Sequence, residues 1–401
     1  MWQKTKNLYH LGIAIIANAW FNFPSKKLTI VGVTGTDGKT TTTSLIYHIL
    51  KTAGFNSSMV TSVGAIIGGK TYDIGFHVTT PSSFSLQRFL NRAVVDGKDS
   101  KPNFLVLETT SHALDQYRVF GIKFDVGVLT NVTHEHLDYH KTYENYLKAK
   151  SKLLKMSKIA IVNRDDESYG FLDGKLKIKN KKLITYGLSA PADVNPKVFP
   201  FKTDLIGEYN KYNVLAAISA CRALGIENEV IRKAIGTFTP PKGRGDIVYK
   251  KDFSVMIDFA HTPNSIEQIL KALRPVVKGR IIHVFGSAGA RDESKRPIMG
   301  EMSAKYADVI ILTAEDPRKE PVEKITNEII GGIKNSELRI KNGTLLKIED
   351  RQKAIEAAIG MAKKGDFVLL TGKSHEKSMN YGHGEVAWDE YGVAKKALCK
   401  R

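Results

Sequence analysis

Short apolar runs rich in Val and Ile alternate with longer stretches of helical period along most of the chain. That is the pattern of parallel strands buried on both faces and joined by helices. Residues 28–33, 104–107, 126–129 and 159–162 read as strands, with helices near 40–53, 143–156 and 209–224. The stretch 52–102 carries smaller strands and loops whose order the pattern does not give. At 238–244 the run FTPPKGR and the glycine after it concentrate Pro and Gly between a helix and the next apolar run, which reads as an interdomain hinge. Beyond it, strands at 255–258, 281–285, 309–312, 345–348 and 367–370 alternate with helices. The expected fold class is α/β: a P-loop central domain with a mostly parallel sheet over 27–240 and a C-terminal doubly wound, Rossmann-like domain over 241–401, preceded by an extension over 1–26.

Composition changes this picture little. A chain of 401 residues, 42% hydrophobic and 25% charged, is ordinary globular material with length for two domains. Cys221 and Cys399 are far apart and lack C-x-x-C spacing, so neither a disulfide framework nor a zinc ribbon is supported, and a reducing compartment fits. The net charge of +19 suits acidic partners such as nucleotides, carboxylates or nucleic acid, and equally a solvated lysine-rich surface. No basic run alternates with aromatics as a single-strand-binding surface would, which counts against nucleic acid.

Lys4 and Lys6 precede an apolar stretch over 8–20 that contains Ala17-Asn18-Ala19, a small-x-small pattern like a signal-peptide cleavage site. His10, Asn18 and Asn22 interrupt it, and a nucleotide-binding strand follows within a few residues. Export is therefore rejected and a cytoplasmic protein expected. The stretch is too short to span a bilayer. An amphipathic helix packed on the first domain is expected, with membrane-surface contact as the alternative.

The run IVGVTGTDGKTTTT over 30–43 follows a strand and opens a helix, the setting in which backbone amides and a helix N-terminus cradle phosphates. Thr34, Gly35, Thr36, Asp37, Gly38, Lys39, Thr40 and Thr41 form this candidate nucleotide loop. A strict Walker pattern needs Gly where Val33 stands. Lys39 suits the β and γ phosphates, and the Thr40 hydroxyl suits magnesium. Glu108 lies at the C-terminal end of a strand, where ligands gather in open α/β sheets. In HEHLDYH, His134, His136 and His140 suggest zinc, yet the H-E-x-x-H spacing is missing, and magnesium is preferred.

The loop form TGTDGKTT resembles that of Mur ligases and their folylpolyglutamate synthetase relatives. VTTPSS, LETTSHALDQYRVFGIKFD, LTNVTHEHLDYHKTYENYLKAKSKLL, GEYNKYNVLAA, GRGDIV, MIDFAHTPNSIEQIL, FGSAGARDESKRPIMG, AEDPRKEP and GKSHE follow in the order of the muramyl-tripeptide-forming branch. The resemblance covers nearly everything from Lys27 onward. It implies an ATP-dependent ligase of peptidoglycan synthesis that adds a third residue to a UDP-muramyl-dipeptide through an acyl-phosphate.

Residue roles follow from that resemblance. Lys39, Glu108, His136 and Lys150 would be catalytic, with Thr40, Glu108, His136 and a carbamylated Lys150 as ligands of two magnesium ions. From the residues alone Lys150 is one of several lysines on a solvated helix; its match to the family lysine that captures carbon dioxide changes that reading. Asn210, Asn213, Arg244 and Asp258 would contact ATP, the C-terminal domain closing over it. Thr79, Thr80, Ser111, Gln116 and Arg118 would hold the muramyl substrate; as plain residues the hydroxyls read as loop or helix caps. Arg291, Glu315, Asp316, Pro317, Arg318, Gly372 and Glu376 would form the amino-acid pocket. Arg318 suits a distal carboxylate and opposes an ammonium, favouring meso-diaminopimelate over lysine.

Glu315, Asp316 and Ser374 depart from the family pattern of Asp-Asn-Pro-Arg and Gly-Lys-Gly-His-Glu. The family's uridine-holding N-terminal domain has no counterpart in the two dozen residues before the first strand, so the grip on uridine is unexplained and a lipid-linked muramyl peptide is an alternative substrate. From another class, a nucleic-acid-dependent P-loop ATPase stays open.

Overall fold

The first strand, β1 (Thr29–Thr34), is buried from Ile30 to its end on both faces, which is why it reads as an unbroken apolar run. The computed structural model describes residues 2–75, 79–96, 103–133, 135, 137–174, 182–189, 191–335 and 344–401. They fall into two units, Met1–Asp204 with Tyr209–Thr239, and Leu205–Glu208 with Pro240–Arg401.

In the first unit the order is α1 (Trp2–Trp20), β1, α2 (Lys39–Thr52), β2 (Asn56–Thr61), β3 (Gly64–Ile67), β4 (Lys70–Tyr72), α3 (Ser83–Asp96), β5 (Asn103–Glu108), α4 (Ser111–Asp115), β6 (Phe124–Leu129), α5 (Leu137–His140), α6 (Tyr143–Met156), β7 (Ser157–Asn163), α7 (Ser168–Gly174), β8 (Lys182–Tyr186), α8 (Glu208–Ala223) and α9 (Asn228–Thr237). Among the described residues its strands make one sheet in the order β4-β3-β2-β5-β1-β6-β7-β8. Only the β2–β3 and β3–β4 pairings, at one edge, are antiparallel. On one face α3, α6 and the 114–122 segment pack against Ile30, Leu105 and Leu107. Gly32 permits this: a Cβ there would lie 2.6 Å from Leu153 Cδ1 on α6. Buried Leu45, Ile46, Ile49 and Leu50 give α2 its inner face, set against β2 and β5.

The N-terminal stretch is indeed a helix packed on α3, longer than the apolar run that predicts it. Its inward residues are the small or polar Ala14, Ala17 and Asn18, while Ile15, Ile16 and Trp20 face outward. Among the described residues no helix is long and apolar enough to cross a membrane.

The second unit runs β9 (Asp246–Lys250), β10 (Ser254–Asp258), α10 (Pro263–Leu273), β11 (Ile281–Phe285), α11 (Lys295–Tyr306), β12 (Val309–Leu312), α12 (Val322–Asn335), β13 (Thr344–Lys347), α13 (Arg351–Met361), β14 (Phe367–Thr371), a β15–β16 ladder (Ser378–Asn380 with Glu385–Ala387) and α14 (Glu390–Cys399). The sheet order is β13-β12-β11-β14-β10-β9, parallel except for β9. Ile266, Leu270, Met299, Ile325 and Ile329 from α10, α11 and α12 fill one face; Ile355, Ile359 and Ala394 from α13 and α14 fill the other. The unit is doubly wound, as the pattern of runs predicts.

Arg351 ties the second sheet to its last helix. Fully buried, it donates Nε to Glu390 Oε2 at 2.9 Å and Nη2 to Glu390 Oε1 at 2.5 Å, and Nη2 also reaches the Thr371 carbonyl at 2.7 Å. Removing one member strands a buried charge. Arg351→Met should lower stability by about 3–5 kcal/mol in denaturant unfolding; a loss below about 1 kcal/mol would mean that water compensates the stranded Glu390.

Candidate active site

The loop between β1 and α2 owes its shape to the segment after β6. Thr36 N donates to the Asn131 carbonyl at 2.9 Å, Asp37 N to Asn131 Oδ1 at 2.9 Å, and Thr130 Oγ1 to the Asp37 carbonyl at 2.7 Å. Thr34 accepts from Thr130 N at 2.9 Å. Gly38 turns with φ of 78° at the N-cap of α2, and a Cβ on it would lie 2.1 Å from Asn213 Oδ1. Asn213 in turn takes a hydrogen bond from Thr42 at 3.4 Å and donates to Asn210 Oδ1 at 3.0 Å, so α8 braces the start of α2. Thr41 is buried beside them, and Lys39 Nζ donates to the Thr36 carbonyl at 2.7 Å.

Three oxygen-bearing groups meet at the first turn of α2. Thr40 Oγ1 donates to Glu108 Oε2 at 2.9 Å and lies 3.0 Å from Ser62 Oγ; Ser62 N also donates to Glu108 Oε2, at 3.0 Å. A buried carboxylate and two hydroxyls beside a helix N-terminus are the donor set a hard divalent cation takes, so these residues fit magnesium. His136 lies outside the described residues, as does His134. His140 is buried, with Nε2 3.0 Å from Ser111 Oγ.

Lys150 on α6 is fully buried and donates to the Gly35 carbonyl at 2.5 Å, with its amine 4.2 Å from the centre of the Tyr146 ring. Burial first, and then the positive charge of Lys39, hold its pKa well below the ordinary lysine value, against the opposing pull of Glu135 and Asp37. This is not the lysine of a solvated helix face.

A second group forms after β5. Arg118 donates Nε and Nη2 to Gln116 Oε1 at 3.0 and 2.6 Å and Nη1 to the Thr80 carbonyl at 3.1 Å. Thr80 Oγ1 accepts from Thr110 N at 3.0 Å and donates to the Glu108 carbonyl at 3.2 Å, linking this group to the carboxylate. Thr79 is half-buried next in the chain.

In the second unit, Asp258 at the end of β10 accepts from Gly245 N at 2.6 Å and Ala260 N at 2.7 Å, and Arg244 stacks 4.5 Å from the Phe259 ring centre. Burial raises the Asp258 pKa, and Arg244 counters it. Around Lys373, a buried lysine, stand Asp316 at 2.9 Å and Glu376 at 2.6 Å. Arg318 and Asp316 adopt left-handed backbone, φ of 55° and 46°, and Arg318 Nη1 reaches the Gly289 carbonyl at 3.1 Å. The Pro317 carbonyl packs where a Cβ on Gly289 would lie 1.9 Å away. Gly372 has φ of 100°, and a Cβ on it would lie 2.3 Å from Glu315 Oε2. Arg291 is exposed and its charge depresses the Arg318 pKa, after burial.

A sequence profile of the Mur ligase middle domain matches residues 33–221, and one described as the Mur ligase glutamate ligase domain matches 243–374. The chain belongs to the Mur ligase family. Among its relatives, the UDP-N-acetylmuramoyl-L-alanyl-D-glutamate--2,6-diaminopimelate ligase of Aquifex aeolicus is 40% identical over 95% of this chain and 80% of its own length. The correspondingly named ligase 1 of Clostridium acetobutylicum is 38% identical over 96% of this chain and 81% of its own. A solved structure of a diaminopimelate ligase of the same name matches with a TM-score of 0.60 at 28% identity, covering 93% of this chain and 78% of that one.

Mur ligases are ATP-dependent amide ligases, and in this one three neighbours of the candidate residues escaped sequence reasoning. Ser62 follows β2, in the stretch whose order the periodicity left open. Tyr146 and Lys373 sit inside the quoted motifs, but only their burial against Lys150 and between Asp316 and Glu376 marks them out.

Glu315 supplies a pH test. Burial lifts its carboxyl from 4.5 to about 7, so the folded chain keeps a proton that the unfolded chain gives up. The stability this group contributes is complete below 4.5 and lost as pH rises through about 7. Urea unfolding of wild type and Glu315→Gln on both sides of that window should show the wild type losing on the order of 3 kcal/mol against the variant. A difference independent of pH would contradict the buried neutral carboxyl.

Proposed function

We propose that this Mur ligase joins 2,6-diaminopimelate to the D-glutamyl carboxylate of UDP-N-acetylmuramoyl-L-alanyl-D-glutamate, converting ATP to ADP and phosphate. The observation that carries the reading is the Thr40, Ser62 and Glu108 oxygen cluster beside Lys39 at the start of α2, in a chain 38–40% identical to the ligases so named. A carboxylate and a triphosphate repel each other, and the site must bring them together. The N-terminus of α2 and Lys39 would take the phosphates, Lys39 exchanging the Thr36 carbonyl for phosphate oxygens. Asn210, Asn213, Arg244 and Asp258 would take the rest of the nucleotide.

Thr40, Glu108, His136 and Lys150 would hold two magnesium ions, which offset charge on the transferring phosphoryl group. For Lys150 this requires a change of sign. Its depressed pKa supports a neutral amine, which can add to carbon dioxide; a nitrogen–carbon bond forms, one proton leaves, and an anionic carbamate results. Arg118, Gln116, Thr79, Thr80 and Ser111 would hold the muramyl substrate. Once the substrate acid is phosphorylated, the incoming amine attacks its carbonyl carbon and phosphate departs. Arg318, with Arg291 near it, suits a second carboxylate on that amino acid and opposes a bare ammonium, and Asp316, Glu376 and Glu315 supply acceptors for an amine. Consumption of ATP suits action in the cytoplasm.

Purified chain given ATP, magnesium, bicarbonate and UDP-muramyl-dipeptide should release ADP with diaminopimelate, far less with lysine, ornithine or glutamine, and yield the diaminopimelyl product by mass spectrometry. ADP release that ignores both substrates, or that needs nucleic acid, would overturn the proposal. Lys150→Ala should lose roughly 100-fold or more in rate, with partial recovery on adding short carboxylates. Full activity in that variant would refute the carbamate.

A further inference from the structure

Helix α1 wears its apolar side outward. Leu8, Tyr9, Ile15, Ile16 and Trp20 are 65, 67, 50, 58 and 77% exposed, whereas the inward face is Ala14, Ala17 and Asn18. At 100° per residue these five side chains, with Gly12 and Ala19 between them, share one continuous half of the helix, and no charged residue lies among them. Singly exposed apolar residues need no explanation; a contiguous stripe of this size does.

The helix is not free to roll that stripe inward. Asn18 Nδ2 donates to the Phe120 carbonyl at 2.8 Å, Gln87 Nε2 donates to Asn18 Oδ1 at 3.1 Å, and Asn7 Nδ2 donates to Asp115 Oδ2 at 3.1 Å. Gly121 leaves room for the Asn18 amide, which a Cβ would approach to 2.7 Å. Rotation would break buried polar pairs to bury apolar surface, so the outward face is built in.

Charge identifies what covers it. The first 36 residues contain Lys4, Lys6, Lys26 and Lys27 and no Asp or Glu, and Lys6, Lys26 and Lys27 are exposed. A second copy of this chain would bring another net +19 against them, whereas an anionic lipid surface attracts them and accepts the stripe. Trp20 and Tyr9 each carry an apolar ring with a polar handle, the residue types that sit at the level of lipid headgroups. We propose that α1 lies flat on an anionic phospholipid bilayer and docks the ligase there. The segment it grips, 115–121, carries Gln116 and Arg118, so docking brings the candidate muramyl-binding group to the membrane surface.

Full-length chain should co-sediment with vesicles of phosphatidylcholine containing about one-third phosphatidylglycerol, far less with phosphatidylcholine alone, and progressively less as salt rises. Tryptophan emission should shift to the blue on binding. Replacing Ile15, Ile16 and Trp20 together by Ser should abolish binding and the shift while ATP consumption in solution and the unfolding temperature stay unchanged. Lys26→Gln and Lys27→Gln should weaken binding about fivefold each. Wild type that ignores anionic vesicles, or a triple variant that binds them equally, overturns the proposal. Self-association lost in the triple variant, with no vesicle binding by wild type, overturns it too and assigns the face to a second copy.

Discussion

The turn between β1 and α2 is held in shape from outside itself. The Thr130–Asn131 step after β6 holds it, gripping Thr36 and Asp37 through backbone and side chain alike. Parallel pairing of β1 with β6 brings this step alongside the loop. The sheet order is therefore what makes the loop possible. Gly35 and Gly38 complete it, since a Cβ on either would collide with Thr130 or Asn213.

The same end of the sheet, at the C-termini of its central strands, gathers the neighbouring polar groups. β5 ends in Glu108, which meets Thr40 from α2 and Ser62 from the end of β2. α6, seated on β1 across Gly32, sends Lys150 back under the loop to the Gly35 carbonyl. A buried lysine at that place is costly as a cation, and burial pushes it toward the neutral amine that carbamate chemistry uses. Strand order, helix packing and acid–base state are thus one argument.

How much of this was legible beforehand depends on how local each signal is. β12, buried on both faces, declared itself as an apolar run, and β11 did so around one polar residue, His283, whose ring nitrogens meet the Ser303 and Thr371 hydroxyls. The shape of the loop between β1 and α2 was legible for a related reason, its glycines being demanded by close approach. Ser62 was not, because its importance lies in reaching Glu108 across the sheet, which no periodicity records. From its residues alone Lys150 looked like one lysine among several on a solvated helix; the family resemblance singled it out, and in the structure tertiary burial separates it from Lys148 and Lys152. The inverted packing of α1 was equally hidden: an apolar stretch reveals that a helix has a face, not which way that face turns.

The central claim is that a substrate carboxylate attacks the γ-phosphorus of ATP. It is tested most directly by placing a heavy oxygen isotope in the D-glutamyl carboxylate of UDP-muramyl-dipeptide and following it through one turnover with diaminopimelate. The account predicts that one labelled oxygen per product appears in the released inorganic phosphate. Unlabelled phosphate alongside amide product would contradict it.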